Sequence, residues 1–279
     1  MPNVHPTAIV DPACTLADDV SVGPFSILQG PIRIGAGTTV LERVSMRGPA
    51  TIGEHCTIYP GCTLGFPPQD FKFTPESVSA GVQIGNHTVL RENATVHAAT
   101  NPDTPTHIGD RVFMMVNAHV GHDSRIDNNA ILTNNTMIAG HVHIAEKAIL
   151  SGGVAVHQFC RVGRMAMVSG GSVTVADVPP FCIAWGRSTI SGLNLVGLRR
   201  SGFDREHISM LRKAYSDTFR EHLSMGEIID ILSTRSANCP PLDEWIQFLK
   251  TSKRTIATHM NPADVERAAR IHATEAYDE

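Results

Sequence analysis

Four histidines, one aspartate and one glutamine recur at a fixed spacing in the middle of the chain. His122, Gly140 and Gln158 are 18 residues apart each time, and the neighbours that flank them are His119, Asp123, His141 and His157. Histidine exchanges protons near neutral pH, and an adjacent carboxylate can fix its tautomer and stabilise the imidazolium that forms during base catalysis. We therefore expect His122 and Asp123 to form a general-base dyad. The unobstructed backbone N–H of Gly140 would suit an oxyanion on an attacked carbonyl.

A six-residue period in the hydrophobic residues would bring this group together. Every sixth residue from Val4 to Leu64, and again from Ile108 to Val168, is aliphatic or Met, and a short bridge at 84–96 keeps the phase of the second run. Six residues with one inward aliphatic side chain form one face of a triangular coil. Three faces make a turn that stacks on the next by parallel strand pairing. Residues one full turn apart then lie in one column, so the sequence predicts that His122, Gly140 and Gln158 meet along one edge.

Two insertions and a change of pattern set the predicted domain organisation. The insertions lie at about 66–82 and 99–106, and loops that leave a solenoid tend to line its functional face. The repeat ends near residue 180, and helical spacing then predicts helices at about 204–222, 225–233 and 242–253, before a charged tail from about 261. The predicted fold is mainly β: a parallel β-helix of hexapeptide repeats over 1–180, a connector over 181–198 and a small C-terminal α-helical domain over 199–279.

Composition limits the classes of function. Among 279 residues, 42% are apolar and 18% are charged, and the formal net charge of −4 gives no basic excess for nucleic acid. No apolar run approaches the ~18 residues of a transmembrane helix, and the N-terminal stretch does not resemble a signal peptide. The six cysteines form no CxxC pair, which is typical of reduced thiols in the cytosol. We therefore expect a cytoplasmic protein without stable membrane insertion.

Six motifs, taken together, resemble the UDP-N-acetylglucosamine O-acyltransferases of lipid A biosynthesis. They occur in order as QDFKF (69–73), NAHVGHD (117–123), IAGHV (138–142), AVHQF (155–159), DVPP (177–180) and NLVGLRRSGF (194–203). The resemblance, which spans roughly residues 4–250, implies a left-handed β-helix and a homotrimer in which His122 faces a neighbouring subunit. It also implies transfer of a 3-hydroxyacyl chain from acyl carrier protein to the 3-hydroxyl of UDP-N-acetylglucosamine, with no metal and no organic cofactor.

The same resemblance assigns roles to individual residues. His122 matches the general base, Asp123 the residue that supports it, and Gly140 the donor of the oxyanion N–H. The residues that match the lining of the sugar-nucleotide and acyl pocket are Asp70, Lys72, His119, His141, His157, Gln158 and Asn194. Arg199 and Arg200 match basic residues near the nucleotide and the carrier protein. Gly170, with Met167 nearby, matches the position that limits acyl length, and a glycine there leaves the groove open to a longer donor.

Departures from the family pattern keep several interpretations open. Ser201 stands where the family often has a third basic residue, and the segments GFPP (65–68) and AATNPDTPT (98–106) differ from the best-known members, so the acceptor could be a 3-amino sugar. A γ-class carbonic anhydrase is also a left-handed β-helix, and three histidines with an open position would make its zinc site. The related N-acyltransferase of the same pathway and a non-enzymatic binding scaffold are also compatible with a solenoid of this kind.

Overall fold

The computed structural model describes residues 1–219, 223–236 and 239–259 of the chain. These residues form 29 strands, numbered β1 to β29 along the chain, and four helices, α1 to α4. Most strands are two or three residues long, because each supplies one inward aliphatic side chain before the chain turns a corner. The strands from β1 to β26 fall in turn on three sheets, which are the three faces of a coil. The predicted parallel β-helix is therefore confirmed.

The first sheet runs the length of the coil and continues into the C-terminal part. Its strands are β1 (Asn3–Val4), β4 (Ser21–Val22), β7 (Thr39–Val40), β10 (Thr57–Ile58), β13 (Val89–Leu90), β16 (Phe113–Met114), β19 (Ile131–Leu132), β22 (Ile149–Leu150), β25 (Met167–Val168), β27 (Cys182–Trp185), β28 (Thr189–Leu193) and β29 (Thr258–His259). All pairs are parallel except β27 with β28, which form an antiparallel hairpin inside the predicted connector.

The second and third sheets complete the triangle. The second contains β2 (Ile9–Val10), β5 (Ile27–Gln29), β8 (Ser45–Arg47), β11 (Thr63–Phe66), β14 (Thr95–His97), β17 (His119–Val120), β20 (Met137–Ile138), β23 (Ala155–Val156) and β26 (Val173–Thr174). The third contains β3 (Thr15–Leu16), β6 (Ile32–Ile34), β9 (Ala50–Ile52), β12 (Val82–Ile84), β15 (Thr106–Ile108), β18 (Arg125–Ile126), β21 (His143–Ile144) and β24 (Arg161–Val162).

The core lies inside the triangle, where the periodic aliphatic residues meet. From Val22 onward every periodic position, including Leu64, Leu90 and Val168, is buried, while Val4, Val10 and Leu16 at the open N-terminal end are only partly buried. Both insertions leave the coil where the sequence predicts them. The first connects β11 to β12, and the second connects β14 to β15.

Within the described residues, four helices follow the coil. They are α1 (Leu195–Arg200), α2 (Arg205–Thr218), α3 (Met225–Arg235) and α4 (Pro240–Lys250). Helix α1 was not predicted. Asp204 occupies the predicted N-cap position of α2 but makes no side-chain capping hydrogen bond. The predicted end of that helix at His222, and the charged tail from about 261, lie outside the described residues.

One helix prediction needs correction. Helix α4 begins at Pro240 rather than at Leu242, because proline has no N–H and fits the first turn of a helix, and it ends at Lys250.

The helices pack against the end of the coil. The indole of Trp245 is fully buried, and its Nε1 donates a hydrogen bond of 2.7 Å to the carbonyl of Pro180. Arg164, at a corner of the coil, forms a bidentate pair with Glu244 of α4 at 2.7 to 3.0 Å. Among the described residues, none of the helices has the length and apolar character needed to cross a membrane.

Candidate active site

The strand register aligns the predicted column along one edge of the coil. Val120 pairs with Ile138, which pairs with Val156, so the residues that follow these strands stack in successive turns. This places His122, Gly140 and Gln158 at the corner between the second and third sheets, as the spacing predicts. The next residue at each corner, which is Asp123, His141 or Phe159, has a φ of 59°, 59° or 65°. These left-handed conformations turn the chain sharply onto the third sheet.

The predicted dyad is present. His122 Nδ1 lies 2.7 Å from Asp123 Oδ2, and the two side chains are only 14% and 8% exposed. Because a carboxylate only accepts hydrogen bonds, His122 Nδ1 carries the proton of this bond, and Nε2 is left to act as a base. The predicted adjacency in sequence is therefore a real contact in the fold.

A loop of the second insertion surrounds the Asp123 carboxylate. Thr100 donates to Oδ2 through Oγ1 at 2.6 Å and through its backbone N–H at 3.1 Å, and the N–H of Asn101 donates to Oδ1 at 3.0 Å. Burial raises the pKa of Asp123, but the hydrogen bonds from Thr100, His122 and Asn101 outweigh burial and bring the pKa below its usual value. Asp123 is thus an anion at neutral pH, beside His122.

Gly140 lies against the imidazole of His122. An ideal Cβ on Gly140 would be 2.7 Å from both Cε1 and Nε2 of that ring, which is closer than van der Waals contact allows. Only glycine therefore fits beside the ring without displacing it. In a neighbouring column of corners, the N–H groups of Glu54, Asn86 and Asp110 each donate to a side-chain oxygen of the following turn. In the His122 column the N–H of Gly140 donates to no described residue, so it is open to a ligand.

Two further histidines lie beside His122. His119 Nδ1 forms a hydrogen bond of 2.7 Å with Thr95 Oγ1, and the ring of His119 meets that of His97 edge to face at 4.9 Å. Burial, reinforced by His97 and His122, lowers the pKa of His119 to about 4. Burial and the proximity of His122 also lower the pKa of His97, whose Nδ1 is buried and has no hydrogen-bond partner in the part of the chain that the structure describes. Both rings are therefore neutral at physiological pH.

His141 forms the other wall of the dyad. Its Nε2 lies 3.7 Å from Asp123 Oδ2, its ring meets that of His122 edge to face at 5.1 Å, and Phe159 stacks on it at 4.6 Å. One ligand atom each from His122, Asp123 and His141 fall within 4.8 Å of one another, a spacing that a metal ion could bridge. However, Asp123 Oδ2 already accepts hydrogen bonds from His122 and Thr100 at 2.6 to 2.7 Å, so this donor set fits a hydrogen-bonded dyad better than a metal site.

The other predicted site residues are spread around this centre. His157 and Gln158 are exposed one turn further along the column. Asp70 and Lys72 lie in the first insertion, where Asp70 Oδ1 accepts from the N–H of Lys72 at 2.9 Å.

The remaining predicted site residues lie near the C-terminal end of the coil and in α1. Asn194 is buried as the N-cap of α1, with Oδ1 on the N–H of Gly197 and Nδ2 on the carbonyl of Met165. Arg199 and Arg200 are exposed in the last turn of α1, and Gly170 and Met167 lie at and near a corner between the first and second sheets. The roles of these residues stay predictions.

Sequence reasoning missed the residues that support the dyad. Thr95, His97 and Thr100 lie 22 to 27 positions before His122, because the second insertion lengthens that turn, so a search at intervals of 18 passes over them. Phe159 was the residue after Gln158 in the predicted column, and its stacking on His141 could have been predicted from the same 18-residue spacing.

Known proteins with one and the same name match nearly the whole chain. Residues 177–257 match a family model described as Udp N-acetylglucosamine O-acyltransferase; Domain 2. A protein of Thermodesulfovibrio yellowstonii named acyl-[acyl-carrier-protein]--UDP-N-acetylglucosamine O-acyltransferase is 41% identical over 258 residues, which cover 92% of this chain and 99% of that protein. A protein of Stutzerimonas stutzeri with the same name is 40% identical over 91% of this chain and 98% of its own length.

A solved structure gives the same picture. The UDP-N-acetylglucosamine acyltransferase of Francisella novicida superposes with a TM-score of 0.89 at 31% identity, over 94% of this chain and 95% of that one. The superposition confirms the predicted fold class, a left-handed parallel β-helix followed by a small α-helical domain.

Proposed function

Because this chain belongs to the acyl-[acyl-carrier-protein]–UDP-N-acetylglucosamine O-acyltransferase family, we propose that His122 is the general base of its acyl transfer. The chain is an acyltransferase, and the reaction of the family is the first step of lipid A biosynthesis. The acyl group is a 3-hydroxyacyl chain carried by acyl carrier protein, and the acceptor is the 3-hydroxyl of UDP-N-acetylglucosamine. The observation that carries the proposal is the buried His122–Asp123 hydrogen bond of 2.7 Å.

The dyad and Gly140 account for each proton and charge of the reaction. His122 Nε2 takes the proton of the sugar 3-hydroxyl as its oxygen attacks the thioester carbonyl, and Asp123 stabilises the imidazolium that results. The N–H of Gly140, which no described residue uses, donates to the oxyanion of the tetrahedral intermediate. When the C–S bond breaks, the imidazolium returns its proton to the departing thiolate of the carrier protein.

Neutral histidines around the dyad suit this mechanism. His119, with its pKa lowered to about 4, cannot protonate at neutral pH and so adds no positive charge that would oppose the imidazolium of His122. We assign His119, His141, His157 and Gln158 to the acceptor pocket, with Asp70 and Lys72 from the first insertion and Asn194, Arg199 and Arg200 from α1 towards the nucleotide and the carrier protein. Gly170 and Met167 are assigned to the end of the acyl groove.

We propose a homotrimer, because the first sheet carries an apolar stripe on its outer side. The inward residues of its strands, such as Leu132 and Leu150, are buried, so their neighbours point outward. Those neighbours pair in register as Val89, Phe113, Ile131, Ile149, Met167 and Ile183, whereas earlier turns present Ser21, Thr39 and Thr57. A continuous apolar stripe on an outer face is typical of a subunit interface. The stripe begins at Val89, one turn before the turn that contains Phe113 and His122.

We also propose domain boundaries and a cytoplasmic location for the protein. We retain a coil over 1–180, a connector over 181–198 and a helical domain over 199–279. The six cysteines are all unpaired, and burial raises the pKa of the Cys62 thiol to about 12, which suits thiols that stay reduced in the cytoplasm.

An acyl-transfer assay tests the proposed function. Purified protein is given 3-hydroxyacyl carrier protein with either UDP-N-acetylglucosamine or its 3-amino analogue, and products are analysed by mass and by hydroxylamine sensitivity of the ester. We expect an O-acylated product from the first acceptor, and no effect of a metal chelator on the rate. Formation of product only with the amino sugar would overturn the acceptor assignment, and chelator sensitivity would overturn the metal-free dyad.

A further inference from the structure

We propose that Thr100 is a positioning residue for acyl transfer, one that fixes the Asp123 carboxylate against His122. The proposal rests on the general-base role of His122 given above. The second insertion, residues 99–106, carries Thr100 and interrupts the coil one turn before the dyad.

Both oxygens of the Asp123 carboxylate are fixed by this insertion. Thr100 reaches Oδ2 with a short hydroxyl bond of 2.6 Å and a backbone bond of 3.1 Å, and Asn101 reaches Oδ1 with its N–H at 3.0 Å. The backbone of Asp123 is bonded as well, because its N–H donates to Thr106 Oγ1 at 2.8 Å. These bonds hold the carboxylate in one orientation, with Oδ2 2.7 Å from His122 Nδ1.

The insertion is itself braced, so it can transmit this order. The side chain of Asn101 accepts from the N–H groups of Asp103 and Thr104 at 2.7 and 3.1 Å, which closes a tight turn. The backbone carbonyl of Asn101 accepts a hydrogen bond of 2.9 Å from the N–H of Ala80 in the first insertion. The N–H of Ala99 donates to the backbone carbonyl of Gly81 at 3.1 Å. Thr100 is thus supported from both sides by backbone hydrogen bonds.

Orientation matters because the dyad works only in one geometry. A carboxylate that rotates loses the bond to Nδ1–H, and the imidazole can then take the tautomer in which Nε2 carries the proton and cannot act as a base. The insertion donates to the carboxylate through two backbone N–H groups and through the hydroxyl of Thr100. Of these three hydrogen bonds, only the one from the Thr100 hydroxyl can be removed by a side-chain substitution, because the other two come from the backbone.

The test uses Thr100→Val, which keeps the shape of the side chain and removes the hydroxyl. We expect kcat to fall roughly ten- to hundredfold, the range for a lost hydrogen bond to a charged group, with little change in KM for the sugar nucleotide. Thr100→Ser restores the hydroxyl and should recover most of kcat. Thr104→Val is the matched control: it lies exposed in the same insertion, and its hydroxyl bonds to no described residue, so its kcat should equal that of the wild type.

A double-mutant cycle separates positioning from general loss of structure. If Thr100 acts through Asp123, Thr100→Val should have almost no further effect on kcat in an Asp123→Ala background. An unchanged kcat in Thr100→Val, an equal loss in Thr104→Val, or a full additional loss in the Asp123→Ala background would each overturn the proposal. Failure of the proposed function would be seen separately, as undiminished activity of His122→Ala whatever Thr100 does.

Discussion

At the scale of single residues, the charge of Asp123 is decided by a competition between burial and hydrogen bonds. Burial favours the neutral acid, while three donors from Thr100 and Asn101 and one from His122 favour the carboxylate and lower the pKa below 3.8. Because the donors prevail, His122 has an anionic partner throughout the neutral range. The same bonds link the catalytic geometry to the stability of the fold.

Stability should therefore depend on Asp123 in a pH-dependent way. Folding lowers the pKa of Asp123, so the ionised carboxylate stabilises the protein at any pH above 3.8, the ordinary pKa of the group. This stabilisation is lost as the pH falls from 3.8 through the lower pKa of the folded state. We expect Asp123→Asn to lower Tm at neutral pH and the difference from the wild type to shrink in acid. Thermal unfolding over a pH series measures this, with exposed Asp103→Asn as the control; a Tm difference independent of pH would refute the linkage.

Gly140 gives a second test at this scale. A Cβ there would lie 2.7 Å from the His122 ring, so Gly140→Ala must displace the imidazole, although the backbone N–H is kept. We expect kcat to fall roughly a hundredfold, because a displacement of about 1 Å in a catalytic group has an effect of that size. Gly192→Ala is the control, since its Cβ would meet no atom within 4 Å from any described residue other than its two chain neighbours. Wild-type kcat in Gly140→Ala would show that the ring position is not critical.

The dyad could be predicted from sequence because His122 and Asp123 are adjacent and the 18-residue spacing places Gly140 beside them. The support from Thr100 could not, because it depends on how an irregular insertion folds back, and no period describes that path. Asn194 shows a related limit. Its motif predicts a pocket residue, which stays a prediction, and its amide also caps α1 and bonds to the carbonyl of Met165, contacts that neither composition nor spacing reveals.

At the scale of elements, the hexapeptide period predicted the coil well, because one inward aliphatic side chain per face is enough to specify a two-residue strand. The C-terminal part was harder. Helix α1, with six residues and a central glycine, has too few turns for helical spacing to be recognised. The hairpin of β27 and β28 continues the first sheet after the period has ended, so its aliphatic residues no longer recur at six-residue intervals.

A corner of the coil should control acyl length. Gly170 is exposed, and a Cβ there would lie 3.3 Å from the carbonyl oxygen of Gly152, close enough to need only a small shift of the backbone. We expect Gly170→Met to fold and to shift preference towards shorter donors, because each methylene excluded from an apolar groove loses about 0.8 kcal/mol. Relative kcat/KM for 3-hydroxyacyl donors of roughly ten and fourteen carbons measures the shift. An unmoved profile would place the length limit elsewhere, with Met167 the next candidate.

At the scale of the whole molecule, the apolar stripe of the first sheet predicts self-association. Light scattering at micromolar concentration should give roughly 90 kDa, three times the 30.1 kDa of the chain. Ile131→Asp and Ile149→Asp, placed in the middle of the stripe, should weaken the trimer because they bury charge at an apolar contact. Thr39→Asp, in the polar part of the same sheet, should leave the mass unchanged. A monomer for the wild-type protein would contradict this assembly.

The measurement that tests the general-base account most directly compares two histidine variants. His143 forms the same kind of bond as His122, with Nε2 2.7 Å from Asp127 Oδ2, but on the third sheet, outside the proposed site. With acyl carrier protein donor and UDP-N-acetylglucosamine at saturation, we predict that His122→Ala lowers kcat by roughly 10²–10⁴-fold while remaining folded, and that His143→Ala keeps wild-type kcat. Near wild-type turnover by a folded His122→Ala protein, or equal losses in both variants, would contradict the account.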